Sequence, residues 1–529
     1  MNVCLIRPPQ FVNFGSFSMN PSPPLGLAFI AAALKNAGHS VSVIDAIGEH
    51  PTQITPIYFS PNTSSPLPDN ARLSTLGLTA DEILEKIPPS TQVVGISCMF
   101  ANNWLVDRFL IGFIGQKLPN VTIIAGGENI SAIPELCLGQ SKSLKAIVVG
   151  EGEETIVDLI NSLEKGDPLK NVQGITFRDD NQIVSTPRRN RVKDLEKMPL
   201  PDWEQFPLDN YQKHMIKWGF SDSPSLPVMA TRGCPYSCTF CSSPLMWGTR
   251  YYMRSPSHVA DELEDLTRRY GITNFDFYDL TAKIKREWII NFSNEIVSRG
   301  MQVKWQIPAG TRSEAIDEEV AKHLYLSGCR SITYAPETGS ARLLKLIKKK
   351  AVLANMLQSI NFAHKQKMHV FINVIIALPD ETMLDILKTL WFLVKCSWQG
   401  VNEVGIARFW PYPGSELFQR SISEKKLDLS SDDYFVNMLL LTAHEKADYY
   451  NDSMPRWWYY GYMHLMLITF YSSNFLFRPF RFFSSVKNVI TLLPQNRTER
   501  AFVSLVKMKI LQFNTKLSFT NNATFKQNV

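Results

Sequence analysis

The stretch Arg232-Gly-Cys-Pro-Tyr-Ser-Cys-Thr-Phe-Cys241 places three cysteines within eight residues, with the spacing C-x3-C-x2-C. Three neighbouring thiolates can bind one face of a compact iron–sulfur cluster, and a [4Fe–4S] cluster held by three cysteines leaves one iron open. Structural zinc would need a fourth ligand, and no cysteine or histidine lies within fifteen residues on either side. Cys234, Cys238 and Cys241 are therefore the predicted cluster ligands. The other five cysteines are scattered along the chain: Cys4, Cys98, Cys137, Cys329 and Cys396.

This stretch resembles the cluster loop of the radical S-adenosylmethionine (SAM) superfamily, whose pattern is C-x3-C-x-aromatic-C. Phe240 stands in the aromatic place. In that family the three thiolates hold the cluster, and the open iron takes the amino and carboxylate groups of SAM. SAM is then cleaved reductively to methionine and a 5′-deoxyadenosyl radical. The resemblance implies that Cys234, Cys238 and Cys241 are catalytic and that Phe240 lies beside SAM.

The composition is that of a large globular protein. The chain has 529 residues, 45% of them hydrophobic, and a net charge of +6 from 55 basic and 49 acidic residues. Such a chain is long enough for three or four domains and a large core. The balanced charge argues against a nucleic-acid partner, and eight cysteines are too few for a disulfide scaffold. Met1–Leu5 lacks the start of a secretion signal, so we expect a cytoplasmic protein.

Alternating strand and helix patterns follow the cysteines. Six strands with helical patterns between them fit parallel pairing with helices outside. We therefore predict a partial (β/α)6 barrel over residues 223–430, with active residues at the carboxyl ends of its strands. The predicted strands are Leu226–Thr231, Asn274–Asp279, Gln302–Ile307, Ser331–Ala335, His369–Ala377 and Asn402–Phe409.

The ends of these strands carry further residues that resemble the radical SAM pattern. Pro336-Glu-Thr-Gly-Ser340 is similar to the family's E-S-G-S element near SAM. Ala377-Leu-Pro-Asp-Glu-Thr382 is similar to G-L-P-G-E-T, with Ala and Asp in place of the two glycines. The resemblance implies that SAM contacts Asp279, Arg312, Glu337, Gly339 and Ser340, with Glu337 the foremost of them.

The first 170 residues have their own strand–helix alternation. The pattern predicts a doubly wound α/β sheet of flavodoxin or Rossmann type, with glycines at strand ends where a large ligand can approach the backbone. No G-x-G-x-x-G follows the first strand, which argues against a dinucleotide. The predicted strands are Asn2–Arg7, Ser40–Asp45, Val93–Ser97, Val121–Ala125 and Ala146–Val149.

Four short elements of this region, P-P-L-G-L, G-I-S, G-G-E and G-E-G-E, resemble the cobalamin-binding domain that is fused to many radical SAM enzymes. The D-x-H-x-x-G motif, whose histidine ligates cobalt, is missing, and Asn129 stands after G-G-E. The resemblance therefore implies cobalamin without a protein histidine on cobalt. The cobalamin contacts that it implies are Leu25, Gly26, Ser97, Gly126, Gly127, Gly150, Glu151 and Gly152.

Two other regions are less regular. Residues 171–222 are predicted to be a linker with a small hairpin, and Ile54–Arg72 a long loop. Residues 431–529 are rich in aromatic side chains and are predicted to be helical. The uncharged stretch Trp457–Phe477 is interrupted by polar residues, so packing over the barrel is favoured over a membrane span. The basic residues interleaved with phenylalanines after it leave contact with a membrane surface as an alternative.

Taken with the cobalamin resemblance, the radical SAM resemblance implies methyl transfer from SAM through methylcobalamin to an unactivated carbon or phosphorus. The substrate would be a small molecule or a lipid, and an electron donor such as flavodoxin or ferredoxin would reduce the cluster. Oxidative cyclisation or rearrangement without methyl transfer is the alternative among enzymes, and a radical enzyme that has lost cobalamin is another. A cobalamin-sensing regulatory protein is the alternative from another class, but a sensor needs no open iron.

Overall fold

The structure is a computed structural model. It describes residues 1–13, 22–57, 59–64, 73–214, 225–279, 285–311, 315–442, 450–451, 453–494, 496, 498–499 and 503.

The first domain alternates strands and helices, as predicted. In chain order it contains β1 (Asn2–Arg7), β2 (Gln10–Asn13), α1 (Leu25–Asn36), β3 (Ser40–Asp45), α2 (Ala46–Glu49), β4 (Ile54–Pro56), β5 (Leu73–Leu76), α3 (Ala80–Lys86), β6 (Val93–Ser97), α4 (Trp104–Lys117), β7 (Thr122–Gly126), α5 (Glu128–Ala132), α6 (Pro134–Gln140), β8 (Leu144–Val148), α7 (Glu153–Lys165), β9 (Ile175–Asp179) and β10 (Gln182–Ser185).

The main sheet of this domain has seven strands in the order β10-β9-β8-β7-β6-β1-β3. Its five predicted strands pair in parallel, whereas β9 and β10 form a hairpin that joins the edge antiparallel to β8. The predicted hairpin therefore extends the first sheet. A second small sheet, β2-β5-β4, includes the beginning of the segment that we expected to be a long loop.

The remaining elements form the barrel and a helical C-terminal region. They are α8 (Leu208–His214), β11 (Leu226–Val228), β12 (Thr231–Arg232), α9 (Ser243–Trp247), β13 (Tyr252–Met253), α10 (Pro256–Tyr270), β14 (Asn274–Phe277), α11 (Arg286–Ser298), β15 (Lys304–Thr311), α12 (Glu318–Leu326), β16 (Cys329–Glu337), α13 (Ala341–Leu346), α14 (Leu353–Lys365), β17 (His369–Ile376), α15 (Met383–Gln399), β18 (Glu403–Arg408), α16 (Glu416–Ser423), α17 (Asp433–Thr442), α18 (Arg456–Phe477) and α19 (Pro479–Ile490).

The six predicted barrel strands are all present and lie in sequence order, β11-β14-β15-β16-β17-β18. Each neighbouring pair is parallel. This order, with a helical segment between successive strands, is that of an open (β/α)6 barrel and confirms the predicted fold class. The carboxyl ends of all six strands therefore meet at one edge, where the cluster loop also lies.

The two domains share one hydrophobic core. Buried side chains of the first sheet, such as Leu5 and Ile124, belong to the same continuous cluster as Val228, Ile332 and Ile372 of the barrel. Each Å² of apolar area that is buried stabilises the fold by about 25 cal/mol, so this shared core holds the two domains together. Their relative position is therefore part of the fold.

The C-terminal helix α18 packs against α15 and β18 on the outside of the barrel. Tyr459, Tyr462, Met466 and Phe470 are its buried side chains at this contact. Of the helices that the structure describes, none is both long and apolar enough to cross a bilayer.

Candidate active site

The cluster loop, residues 233–242, connects β12 to α9. Gly233 begins it with a φ of 96°, and a Cβ there would overlap the carbonyl oxygen of Arg250. Only glycine fits this approach at a positive φ. Further along, the Thr239 N–H donates to the Ile347 carbonyl oxygen at 3.1 Å. The loop is thus fixed to the barrel by its backbone.

The three cysteines of this loop differ from the other five. Cys234, Cys238 and Cys241 are half-buried, whereas the rest are buried. Burial raises the pKa of Cys238 to about 11, opposed by the nearby Lys349 and supported by the charges of the other two loop thiolates. Burial also raises the pKa of Cys241. The three thiols therefore lie close enough to interact, and iron binding would displace their protons.

Within the described part of the chain, no three His, Cys, Asp or Glu side chains converge on a point where one metal ion would sit.

Arg232, the residue before the cluster loop, is paired with the first domain. Its guanidinium is 3% exposed and lies 3.3 Å from the Glu151 carboxylate and 2.5 Å from that of Glu153. Burial lowers the pKa of Arg232, but the two carboxylates outweigh it and hold that pKa above the ordinary value. Glu151 also accepts from Arg191, at 3.2 Å. The G-E-G-E loop, predicted to face cobalamin, thus anchors the root of the cluster loop.

A second loop of the first domain makes a similar contact. The Ser242 hydroxyl donates to the Glu128 carboxylate at 2.5 Å. Gly127, just before it, has a φ of 126°, and a Cβ there would lie 2.6 Å from the Cys98 carbonyl oxygen. Both glycine-rich strand ends of the first sheet therefore meet the cluster loop. The carboxyl edges of the two parallel sheets face each other across it.

Glu337 ends β16 at this edge with a φ of 62°. Its carboxylate, 8% exposed, accepts from the Lys349 ammonium at 2.7 Å. Glu337 and Lys349 both act electrostatically on Cys238. The structure thus brings the foremost predicted SAM residue next to the cluster cysteines, together with a lysine that sequence reasoning missed.

Asp279, the predicted SAM residue after β14, is fully buried beneath the cluster loop. It accepts from the Thr231 hydroxyl and from the Ala230 N–H at 3.4 Å, and burial raises its pKa to about 6. Its observed partners are thus residues at the root of the cluster loop. Arg312 lies outside the described residues.

Gly339, Ser340 and Phe240 have identifiable packing partners. A Cβ on Gly339 would lie 2.6 Å from Phe392, so the chain passes close to α15 there. Ser340 caps α13 by accepting from the Leu343 N–H and donates to Asp385 at 2.5 Å. Phe240 is half-buried and packs on a hydrophobic cluster. Contact with SAM stays a prediction for all three.

The predicted cobalamin residues all lie at or beside the carboxyl edge of the first sheet. Gly150 has a φ of 89°, and a Cβ there would meet no described atom within 4 Å, so its surroundings are open. Gly152 is close-packed instead, since a Cβ would lie 2.8 Å from the Ile30 side chain. Leu25 and Gly26 begin α1, Ser97 ends β6 and Gly126 ends β7.

Asn129 lies at this edge, two residues after Gly127. The side chain is 4% exposed, yet neither of its amide atoms has a hydrogen-bond partner among the described residues. Leaving such a group unpaired in a protein interior costs about 1–3 kcal/mol. A polar ligand bound at this edge would give the Asn129 amide a hydrogen-bond partner.

Arg232 and Lys349 also lie at the site, and neither was predicted from the sequence. They differ in whether a sequence pattern could have indicated them. Arg232 adjoins the cysteines, and an arginine beside a motif can be suspected. Lys349 stands in a run of three lysines, where no pattern distinguishes the one that pairs with Glu337.

Ala377 and Asp380, which replace the two glycines of G-L-P-G-E-T, both have a backbone conformation that suits glycine. Ala377 has a φ of 62° and Asp380 a φ of 64°. Asp380 pairs with Arg420 at 2.9 Å, and the buried Glu381 accepts from the Ala377 N–H at 2.7 Å. The turn is thus kept without its glycines, at a cost of about 1–2 kcal/mol for each left-handed residue.

We expect Ala377→Val to lower the free energy of unfolding by about 2–3 kcal/mol, because a β-branched residue is strained at positive φ and overpacks a buried site. Ala407→Val is the matched control, at an exposed strand position of β18, and we expect it to change stability by less than about 0.5 kcal/mol. Urea denaturation of both variants measures the difference. Equal effects would show that the turn at Ala377 carries no strain.

Comparison with known proteins agrees with this geometry. The model of the Radical SAM superfamily matches residues 228–393, and the match includes no part of the first domain. The chain is 28% identical to an uncharacterized methyltransferase of Pyrococcus horikoshii over 81% of this chain and 84% of that protein. It is 27% identical to the cytidylyl-2-hydroxyethylphosphonate methyltransferase of Streptomyces wedmorensis, over 77% of this chain and 79% of that protein.

A solved structure extends the likeness to the first domain. The radical SAM methyltransferase TsrM of Kitasatospora setae, with cobalamin and a [4Fe–4S] cluster bound, superposes with a TM-score of 0.60 at 16% identity. The superposition covers 80% of this chain and 75% of that one. It shows that the two proteins share the fold of both domains. With the cysteine loop at the carboxyl edge of the six-stranded barrel, residues 228–393 of this chain form a radical SAM domain.

Proposed function

We propose that the protein is a cobalamin-dependent radical SAM methyltransferase that acts on a small molecule or a lipid. The observation that carries the proposal is the contact between the cysteine loop and two glycine-rich loops of the first sheet, through Arg232 and Ser242. This arrangement would put a cluster on the cysteine loop and a cofactor at the first sheet within reach of one substrate. Methylation at carbon or phosphorus is proposed from the methyltransferases that the chain resembles.

The residues present fit a [4Fe–4S] cluster and SAM. Cys234, Cys238 and Cys241 would hold the cluster, which would supply the electron for SAM cleavage. Glu337 would accept hydrogen bonds from the ribose hydroxyls or the ammonium group of SAM. The Lys349 ammonium, 2.7 Å from this carboxylate, orients it.

The residues of the first domain fit cobalamin, which would supply the methyl carrier. The open surroundings of Gly150 allow a large planar ligand to approach the backbone. The unpaired amide of Asn129 would gain a polar partner. Only two histidines, His39 and His50, precede residue 170. His39 lies at the amino edge of the sheet, 3.2 Å from the N-terminal amine. This position supports cobalamin without His39 on cobalt.

The proposal includes an external electron donor, such as flavodoxin or ferredoxin, because reductive cleavage consumes an electron that SAM itself does not supply. The same donor would serve the rival reactions, cyclisation and rearrangement. The cytoplasm is the compartment in which such donors act, and it remains the predicted location.

The test does not require the substrate. The reconstituted protein is incubated anaerobically with hydroxocobalamin, a reductant and SAM carrying a deuterated methyl group. We expect deuterated methylcobalamin by mass spectrometry, together with 5′-deoxyadenosine. Formation of 5′-deoxyadenosine with no methylcobalamin would contradict methyl transfer and favour cyclisation or rearrangement. Cobalamin binding without either product would favour the sensor.

Glu337→Ala is expected to weaken SAM binding by about ten- to a hundredfold, because a charge-assisted hydrogen bond contributes about 1.5–3 kcal/mol. Equilibrium dialysis with the reconstituted protein measures the dissociation constant. The matched control is Glu403→Ala, since Glu403 is also buried at a strand end but pairs with His369 at 2.9 Å on the amino edge of the barrel. Unchanged SAM affinity in Glu337→Ala would assign Glu337 to the Lys349 ion pair alone.

A further inference from the structure

The last described helix, α19, carries apolar side chains on the side that faces away from the protein. Phe480, Phe483, Val486 and Ile490 recur every three or four residues and so form one stripe along the helix. Phe480 is 87% exposed and Ile490 is 75% exposed. Large apolar side chains of this exposure in one stripe are unusual for a helix in water.

The opposite side of α19, which faces the protein, is polar. Arg481 donates to the Val401 carbonyl oxygen at 2.8 Å, while Ser485 and Asn488 donate to the buried Glu499 at 2.7 and 3.0 Å. A surface helix of a globular protein normally buries its apolar side and exposes its polar side. In α19 this arrangement is reversed, so its outward side lacks an apolar environment in the described structure.

Two neighbouring helices continue this surface. α18 packs beside α15 and α19 follows it, and the rings of Trp398 and Phe477 meet at 5.0 Å where α15 and α18 adjoin. The outward sides of α15 and α18 are also apolar. The outer helix surface is defined here by Leu384, Leu387, Trp391, Trp398, Leu465, Ile468, Leu476, Phe480, Phe483 and Ile490.

The exposed charges on these three helices have one sign. Lys388, Lys395 and Lys487 are exposed on them, and Lys395 lies 5.7 Å from the centre of the Trp391 ring. α18 and α19 contain no Asp or Glu, and the one acid of α15, Asp385, is buried and paired with Arg342. On α15, α18 and α19, therefore, aliphatic, aromatic and lysine side chains are exposed and no carboxylate is.

We propose that the outer helix surface binds to an anionic membrane surface. Apolar and aromatic side chains enter the interfacial region of a bilayer, while lysines attract acidic headgroups. A bilayer accepts apolar side chains at irregular spacing on three helices, which a protein partner would have to match one by one. The inference rests on α15, α18 and α19 and is independent of the proposed methyl transfer.

The test is flotation of the full chain with vesicles, which needs no substrate and no turnover. Vesicles of equal parts phosphatidylcholine and phosphatidylglycerol are compared with vesicles of phosphatidylcholine alone. We expect the protein to bind the anionic vesicles, and Phe480→Ser/Phe483→Ser to weaken that binding by at least about tenfold. The control Val297→Ser/Leu326→Ser removes two exposed apolar side chains, 56% and 55% exposed, from α11 and α12 and should bind as the wild type does.

The charge contribution is tested separately. Lys388→Gln, Lys395→Gln and Lys487→Gln should each weaken binding to the anionic vesicles by about fivefold and leave the weak binding to phosphatidylcholine unchanged. All of these residues are exposed, so the melting temperature of each variant should match that of the wild type. If Phe480→Ser/Phe483→Ser melts earlier, it is replaced by Phe480→Gln/Phe483→Gln, which keeps more side-chain volume.

Three results would overturn the proposal. The first is a full-length protein that does not bind anionic vesicles. The second is a dimer in sedimentation that Phe480→Ser/Phe483→Ser dissociates without any vesicle binding, which would assign the surface to a second copy. The third is vesicle binding only after residues 501–529 are removed, which would show that this segment covers the surface.

Discussion

Cys234→Ala is expected to reduce SAM cleavage to background and to lower the iron content of the reconstituted protein. Each thiolate of the loop would hold a different iron, and two ligands from one short loop do not hold a cubane that must also bind SAM. The same result is expected for Cys238→Ala and Cys241→Ala. Iron and sulfide analysis, with 5′-deoxyadenosine measured by chromatography, provides the readout.

The matched controls are Cys329→Ala and Cys396→Ala. Cys329 begins β16 at the amino edge, and Cys396 lies in α15, so both are away from the cluster loop. Both are fully buried, and the loss of a small side chain should cost only about 1 kcal/mol. We expect these variants to keep their iron and to cleave SAM. Full iron and full SAM cleavage in any variant of the three loop cysteines would contradict the assignment of the cluster.

Arg232→Met is expected to lower the free energy of unfolding by about 3–5 kcal/mol, because breaking a buried ion pair leaves an uncompensated charge behind. Glu151 would keep Arg191 as a partner, but Glu153 would lose the Arg232 guanidinium that it holds at 2.5 Å. Since Arg232 lies two residues before Cys234, the variant should also take up less iron. Urea denaturation and iron analysis measure the two effects.

Two further variants separate the ion pair from general damage. Arg299→Met removes an arginine whose partners are exposed carboxylates on the barrel surface, and it should cost less than about 1 kcal/mol. Arg232→Met/Glu153→Gln removes both charges and should recover part of the lost stability, which a double-mutant cycle reports as a coupling energy. If Arg232→Met is as mild as Arg299→Met, the ion pair does not connect the domains energetically.

The barrel and the first sheet could be predicted because their signals are local. The strand His369–Ile376 is apolar except at His369 and Asn373, and side chains on both of its faces are buried. Turns and polar residues separate it from the neighbouring elements. The small strands β2, β4 and β5 were missed because each is only three or four residues long and gains stability from its neighbours across the sheet. The hairpin of β9 and β10 could be predicted because its two strands are neighbours in the chain. Its pairing with β8 could not, because that contact joins segments further apart.

The candidate site divides in the same way. The spacing of Cys234, Cys238 and Cys241 is a property of eight consecutive residues, and it points to a cluster without any knowledge of the fold. The pairing of Arg232 with Glu153 joins residues 79 positions apart, and the choice of Lys349 from three adjacent lysines depends on which of them the barrel edge buries. Such contacts follow from how the domains pack, which no local pattern encodes.

The sequence by itself determined the fold class, the spacing of the three loop cysteines and the order of the barrel strands, because hydrophobic periodicity and motif spacing act over a few residues. Only the tertiary structure decided that the glycine-rich loops of the first sheet meet the cluster loop, and that Ala377 and Asp380 keep a turn suited to glycine. It also decided that α19 turns its polar side inward. These features depend on contacts between segments far apart in the chain, where burial and charge pairing are settled together when the domains pack.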